Sequence, residues 1–213
     1  GISAIDCACR YHGTVMSTPA AHPAHQTLSR GEGATIAYRE SPGKSPGVVF
    51  LGGFASDMTG TKAGAIEATC QQAGRAFVRF DYSGHGASSG RFEDGTIGGW
   101  TEDALAVLDA VCEGPQVLVG SSMGGWIMLL AALARPDRVA GMIGIAAAPD
   151  FTEDLMWAGF GEDARSALAT EGVWRETSDS GDTPLAITRA LIDDGRKHLV
   201  LRGPLPIACP VRL

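Results

Sequence analysis

The 213-residue chain is long enough for one well-buried core, and its 45% hydrophobic and 19% charged content is ordinary for a globular protein. A net charge of −7 excludes the clustered basic surface that nucleic acid requires, and no apolar run reaches the roughly 18 residues of a membrane span. Five scattered cysteines (Cys7, Cys9, Cys70, Cys112, Cys209) form no disulfide framework, and no secretory signal precedes them, which points to a reducing compartment, the cytoplasm.

Residues 1–15 read as upstream sequence and 16–30, rich in Ser, Pro, Ala and His, as a flexible leader. Cys7-Ala8-Cys9 has no second ligand pair at metal spacing, so no metal site is expected. From residue 34 strands and helices alternate. Residues 34–39 form a strand, with a turn at Ser41-Pro42-Gly43-Lys44. Residues 48–51 are a short buried strand that ends at Gly52-Gly53. Residues 61–74 are helical, with Ala65, Ile66, Ala68 and Thr69 available to the core and Gly74 at the stop.

Residues 76–80 give the next strand, followed by a Gly- and Ser-dense loop over 81–90. Ala104, Val107, Leu108 and Val111 mark a helix over 100–112. Residues 116–119 are a third buried strand. Met123–Ala134 is a helix apolar on nearly every side, stopped by Arg135-Pro136, and 139–146 is a further strand. Continuous apolar strands alternating with helices predict an α/β core over 31–150, its mostly parallel sheet covered on both faces. After Asp150 the alternation ends. Residues 151–205 carry helical patterns at 162–170 and 185–194 and no strand, which predicts a helical cap over the ligand-binding edge. Residues 206–213 read as the start of the next buried core strand.

Two segments match Gly-x-Ser-x-Gly, and a pattern this short arises by chance in a chain with 29 glycines. Gly86-Ala87-Ser88-Ser89-Gly90 lies in a polar loop. Gly120-Ser121-Ser122-Met123-Gly124 follows Val117-Leu118-Val119 and opens an apolar helix, the strand–turn–helix setting of a nucleophile elbow. Ser122 is therefore the candidate nucleophile, and Gly120 and Gly124 are the small residues that a crowded turn needs. An acyl transfer also needs donors for the developing oxyanion. The backbone N–H groups of Met123 and of Phe54, after Gly52-Gly53, are the candidates. His85 reads as structural. Asp150 is either a triad acid or a helix cap, and Asp57 either lines the pocket or caps the helix after it. Trp126 and Met128 read as core.

With these features in place, the chain resembles the α/β-hydrolase superfamily. Within it, the chain is similar to the subgroup of mitochondrial palmitoyl-protein thioesterases and acyl-glucuronide esterases with their bacterial relatives. The resemblance is carried by Leu51-Gly52-Gly53-Phe54-Ala55-Ser56-Asp57-Met58-Thr59-Gly60-Thr61-Lys62-Ala63, Phe80-Asp81-Tyr82-Ser83-Gly84-His85-Gly86, Gly120-Ser121-Ser122-Met123-Gly124-Gly125-Trp126 and Ile187-Thr188-Arg189-Ala190-Leu191-Ile192-Asp193-Asp194-Gly195-Arg196. It implies serine hydrolysis of a small-molecule ester or an acylated protein, without cofactor or metal. In the superfamily the triad runs nucleophile, acid, histidine along the chain. The resemblance places the acid just after the strand that opens Cys209-Pro210-Val211-Arg212-Leu213, and the histidine later still. Of the histidines only His198 follows Ser122, and it falls in the cap segment. The expectation is a fragment without its acid and base, and inactive alone. The alternative is a non-catalytic binding protein on the same fold.

Overall fold

The computed structural model describes residues 24–176 and 184–213; the expectations for residues 1–23, Cys7 and Cys9 among them, lie outside these. In chain order the strands are β1 (Gln26–Gly31), β2 (Ala34–Ser41), β3 (Lys44–Leu51), β4 (Arg75–Phe80), β5 (Gln116–Ser121), β6 (Val139–Ile145), β7 (Val173–Glu176), β8 (Leu185–Thr188) and β9 (Val211–Arg212). The α-helices are α1 (Thr61–Gln72), α2 (Ile97–Ala110), α3 (Met123–Ala134), α4 (Glu162–Thr170) and α5 (Arg189–Gly195).

Seven strands form one sheet in the order β1-β2-β4-β3-β5-β6-β9. From β4 to β9 neighbouring strands are parallel, and β1 and β2 join antiparallel at one edge. After β3 the chain moves outward to β4, then crosses back to β5 on the other side of β3. The carboxyl ends of β3 and β5 therefore flank a topological switch point, where open α/β sheets leave a crevice for ligands. Parallel strands need cover on both faces. On one face α1 lays Ala63 and Cys70 against Val48, Phe50, Phe77 and Val119. On the other, α2 and α3 bury Trp100, Leu108, Trp126 and Ile127 over Val49, Leu51 and Leu118. Full burial of each large side chain stabilises the fold by about 1.5–3 kcal/mol.

Several details differ from the sequence expectations. Residues 26–30 are not leader but most of β1. The strand pairs with β2 from Gln26↔Tyr38 onward, and its Arg30 reaches the buried Asp103 carboxylate of α2 at 3.3 Å. The inward face of α1 is Ala63, Ile66, Glu67 and Cys70, whereas Ala65, Ala68 and Thr69 are exposed. Helix α2 begins three residues early, because the Thr96 hydroxyl caps it by accepting from Gly99 N–H, which offsets two weak helix formers at Gly98-Gly99. Strand β9 pairs parallel with β6, and within the described residues Val211 is 37% and Leu213 96% exposed.

The segment after Asp150 holds one π-helical turn (Thr152–Trp157), α4, α5 and, contrary to expectation, an antiparallel hairpin of β7 and β8. Residues 185–188, read as helix, are its second strand. Thr188 then caps α5 by accepting from Leu191 N–H. Three contacts fasten this segment to the core. Asp194 accepts from Gly98 N–H at the start of α2 (2.7 Å), the Trp126 indole donates to the His198 carbonyl (3.0 Å), and the fully buried Asp150 accepts from both Val200 and Leu201 N–H at 2.8 Å. Among the described residues no helix is long and apolar enough to cross a membrane.

Candidate active site

The turn between β5 and α3 holds Ser122 at φ 52°, a left-handed conformation that a non-glycine residue adopts at a cost. The cost is borne because both flanks are locked. Ser121 and Met123 are buried, Ser122 N–H donates to the Ile145 carbonyl (3.1 Å), and the Ser122 carbonyl accepts from Gly125 and Ala148 N–H. The side chain itself is exposed and makes no capping bond. The glycines around it are forced by close approach. A Cβ on Gly120 would sit 2.7 Å from Gly125 Cα, and one on Gly124 would sit 2.6 Å from the Gly52 carbonyl oxygen.

That last contact brings the loop after β3 against the turn. A Cβ on Gly53 would lie in ordinary contact with Ser122 Cβ at 3.4 Å, so the two segments run side by side there. A cavity of about 310 Å³ opens at this crossing, lined by Gly52, Gly53, Phe54, Asp57, Lys62 and Ser122 among others. No acceptor among the described residues takes the N–H of Phe54 or of Met123. The Phe54 ring packs against Phe92, Trp100 and Phe151, with centroids 5.0, 5.8 and 5.7 Å away. On the far side of Ser56 and Asp57 a second cavity of about 430 Å³ reaches His85, Glu93, Arg175 and the β7–β8 hairpin.

The other candidates take structural places. Ser88, in the rival motif, donates its hydroxyl to the Asp81 carbonyl and accepts from Ala37 N–H, which staples the loop to β2. His85 is buried among Tyr82, Phe92 and Trp100, with Nδ1 3.2 Å from the Ser83 carbonyl, and burial lowers the imidazole pKa. Asp150 neither bonds to Ser122 nor caps a helix with its side chain; it holds the 200–201 peptides. Asp57 does not cap α1. It accepts from Thr59 N–H and hydroxyl, which lowers its pKa against the effect of burial. His198 stands beside Asp194 at 3.6 Å. Trp126 and Met128 are buried core.

Two residues that the sequence reading passed over support the site from behind. Arg79, on β4, and Asp81, just after it, are 6% and 2% exposed. Asp81 accepts from Met58 N–H at 2.6 Å and Ala87 N–H at 2.8 Å, and Arg79 donates to the Met58 carbonyl at 2.8 Å. Burial pushes the Asp81 carboxyl pKa up, against the pull of the Ala87 and Met58 N–H groups. The signal was available: a charge inside the apolar run Ala76-Phe77-Val78-Arg79-Phe80 is rarely buried unless it is held to a partner.

The family model for serine aminopeptidase, S33, matches residues 45–171. The mouse palmitoyl-protein thioesterase ABHD10, a mitochondrial protein, is 43% identical over 187 residues, which are 87% of this chain and 63% of the relative. The chain thus spans less than two thirds of that relative's length. Among solved structures, mouse alpha/beta hydrolase domain-containing protein 10 superposes with a TM-score of 0.79 at 41% identity, covering 89% of this chain and 76% of that one. A protein from Agrobacterium vitis S4 gives 0.82 at 43% identity over 88% and 76%. The mitochondrial setting of the mouse thioesterase and its mammalian counterparts overturns the cytoplasmic expectation. Unpaired cysteines mark a reducing compartment without saying which one. By the family model and by its likeness to these relatives, the chain belongs to the serine aminopeptidase S33 family of α/β-hydrolases.

Proposed function

We propose that the chain carries the nucleophile of a serine hydrolase that cleaves thioester or carboxylic ester bonds through an acyl-enzyme on Ser122. The observation that supports this reading most is the backbone of Ser122: φ 52°, exposed, at a sheet switch point, with the Gly52-Gly53 loop running beside it. Strain held in place by locked neighbours is a recurrent mark of a reacting residue.

In the proposed reaction Ser122 Oγ bonds to the acyl carbonyl carbon while its proton passes to a general base. The carbonyl oxygen becomes an oxyanion and accepts from the Phe54 and Met123 N–H groups, both without another acceptor among the described residues. Collapse breaks the bond to the thiol or alcohol, which leaves with the base's proton. Water then repeats the attack on the acyl-serine and releases the acid. Neither His85 nor His198 bonds to Ser122, and the reading assigns the base and its acid partner to residues outside the described ones. The 213-residue chain alone should therefore turn over a p-nitrophenyl ester at most residually. The name of the mouse relative favours a fatty-acyl thioester, carried by a small molecule or a protein.

A fluorophosphonate probe tests the assignment in the intact protein: wild type should be labelled and Ser122→Ala should not. Equal labelling of both would remove Ser122 as nucleophile. A labelled site combined with no turnover of any thioester or ester would favour a binding protein on this fold.

A further inference from the structure

We propose that Arg79 and Asp81 are positioning residues for the Ser122 site: they hold the two peptide groups on either side of the Met58 Cα and so keep the 52–57 loop in the strained form that presents the Phe54 N–H. The inference rests on the reading of Ser122 and Phe54 just given, and it assigns a cause to the loop's geometry.

The loop has two ends and one strained link. At its start the Gly52 carbonyl lies so close to Gly124 that a Cβ added there would sit 2.6 Å from it, and Gly53 runs beside Ser122. At its end Met58 is fixed on both sides of its Cα, its N–H to the Asp81 carboxylate and its carbonyl to the Arg79 guanidinium. Between them Ala55 lies at φ 55°, a region that disfavours any residue with a Cβ and that persists only where the surroundings over-determine it. The Phe54 N–H that is proposed to meet the oxyanion lies one peptide before the one that joins Phe54 to Ala55. A relaxed Ala55 would redirect the chain between Phe54 and Met58, so the clamp at Met58 acts on the Phe54 donor through a short segment, Ala55-Ser56-Asp57, that contains the strained residue.

The chemistry of the clamp argues that it serves geometry rather than stability. Two charged groups are withdrawn from water, which costs more than packing apolar side chains of the same size. Arg79 is paired with Glu67 at 2.6 Å, and Glu67 in turn accepts from the Ser41 hydroxyl, yet Arg79 Nε has no partner among the described residues. A buried donor left unpaired is a poor device for stability. What the pair supplies is direction: a carboxylate on the 57–58 peptide and a guanidinium on the 58–59 peptide fix both planes that meet at Met58. The other Asp81 oxygen holds Ala87, and a Cβ on Gly86 would run into this carboxylate. The loop that carries His85 is thereby referenced to the same point.

The test uses the intact protein with a p-nitrophenyl ester. Asp81→Asn keeps the shape but presents an amide to two N–H donors. It should lower kcat by about 10- to 100-fold with KM within about threefold, the pattern of a lost transition-state interaction. Arg79→Met combined with Glu67→Gln removes the charges without leaving one stranded. It should keep or raise Tm yet lose kcat similarly, whereas Arg79→Lys, still able to donate to Met58, should recover most of it. Amide exchange at Met58 should accelerate in both clamp variants. Unchanged kcat at unchanged Tm would overturn the inference, as would a loss confined to KM, or a kcat that simply follows Tm. Failure of both variants to fold would also overturn it, since the residues would then be needed for the fold itself. Ser122→Ala that still labels would instead overturn the underlying reading, and the two failures are distinct.

Discussion

Gly124→Ala tests how rigidly the crossing of β3 and α3 is built. An added Cβ would run into the Leu51 carbonyl oxygen and lie 2.6 Å from both the Gly52 carbonyl oxygen and the Leu51 carbonyl carbon, where ordinary contact begins near 3.4 Å. Relief requires a shift of more than about 1 Å in backbone, not in a side chain that can swing away. Strand β3 cannot supply it cheaply, because it is paired on both sides, Phe50 to Arg79 and Leu51 to Gly120. The cost therefore falls at the upper end for over-packing, about 3 kcal/mol. For a chain of this size that corresponds to a fall of roughly 6–12 °C in Tm by calorimetry. The displaced backbone is also the one that meets Ser122, so fluorophosphonate labelling should slow in the intact protein. Gly64→Ala is the control. It sits in α1 with nothing within 4 Å of the new Cβ, and it should stabilise by about 0.5–1 kcal/mol. A Tm for Gly124→Ala within about 2 °C of wild type would refute the reasoning, because it would mean that the crossing yields.

Asp150→Ala should cost about 1–3 kcal/mol, since it strands the buried Val200 N–H and removes the acceptor of the partly buried Leu201 N–H. Hydrogen exchange at those two amides reports it, and unchanged protection would contradict the role given to the carboxylate. His85 should make stability pH-dependent. Its folded pKa lies below the ordinary 6.5 mainly through burial, so below that pH the unfolded chain binds the proton more readily. Stability is then fully present above about 6.5 and declines as pH falls toward the folded value. His85→Gln should flatten this decline in Tm between about pH 6.5 and 5; a parallel curve would assign the effect elsewhere.

Where the sequence was legible, local and long-range demands agreed. The run Val117-Leu118-Val119 has to be buried, the glycines after it have to be small, and the apolar helix from Met123 has to stop before Pro136; each requirement selects the same turn. Legibility failed where an element exists only through its partner. Strand β1 is mostly exposed, and what makes it a strand is β2 and the Arg30–Asp103 pair, neither visible in its own six residues. The β7–β8 hairpin likewise hides behind Leu185–Thr188, whose buried Ala186 and Ile187 run into a helical pattern after the Thr188 cap. The Met58 clamp was missed because both of its members reach a loop more than 20 residues earlier. The start of α2 was lost to a glycine pair that a single threonine overrides.

The two N–H groups held by Asp150 have a consequence for how this architecture can vary. The chain leaves the sheet at residue 150 and comes back to the same carboxylate at 200 and 201, so the excursion between them starts and ends at one side chain. Closing such a loop costs only slowly more as it lengthens. Its exposed stretches, such as Gly159 to Gly161, can therefore change length with the two ends still meeting there, whereas Phe151, Ile187, Leu191 and Ile192, packed into the main core, tie the rest of it to the sheet.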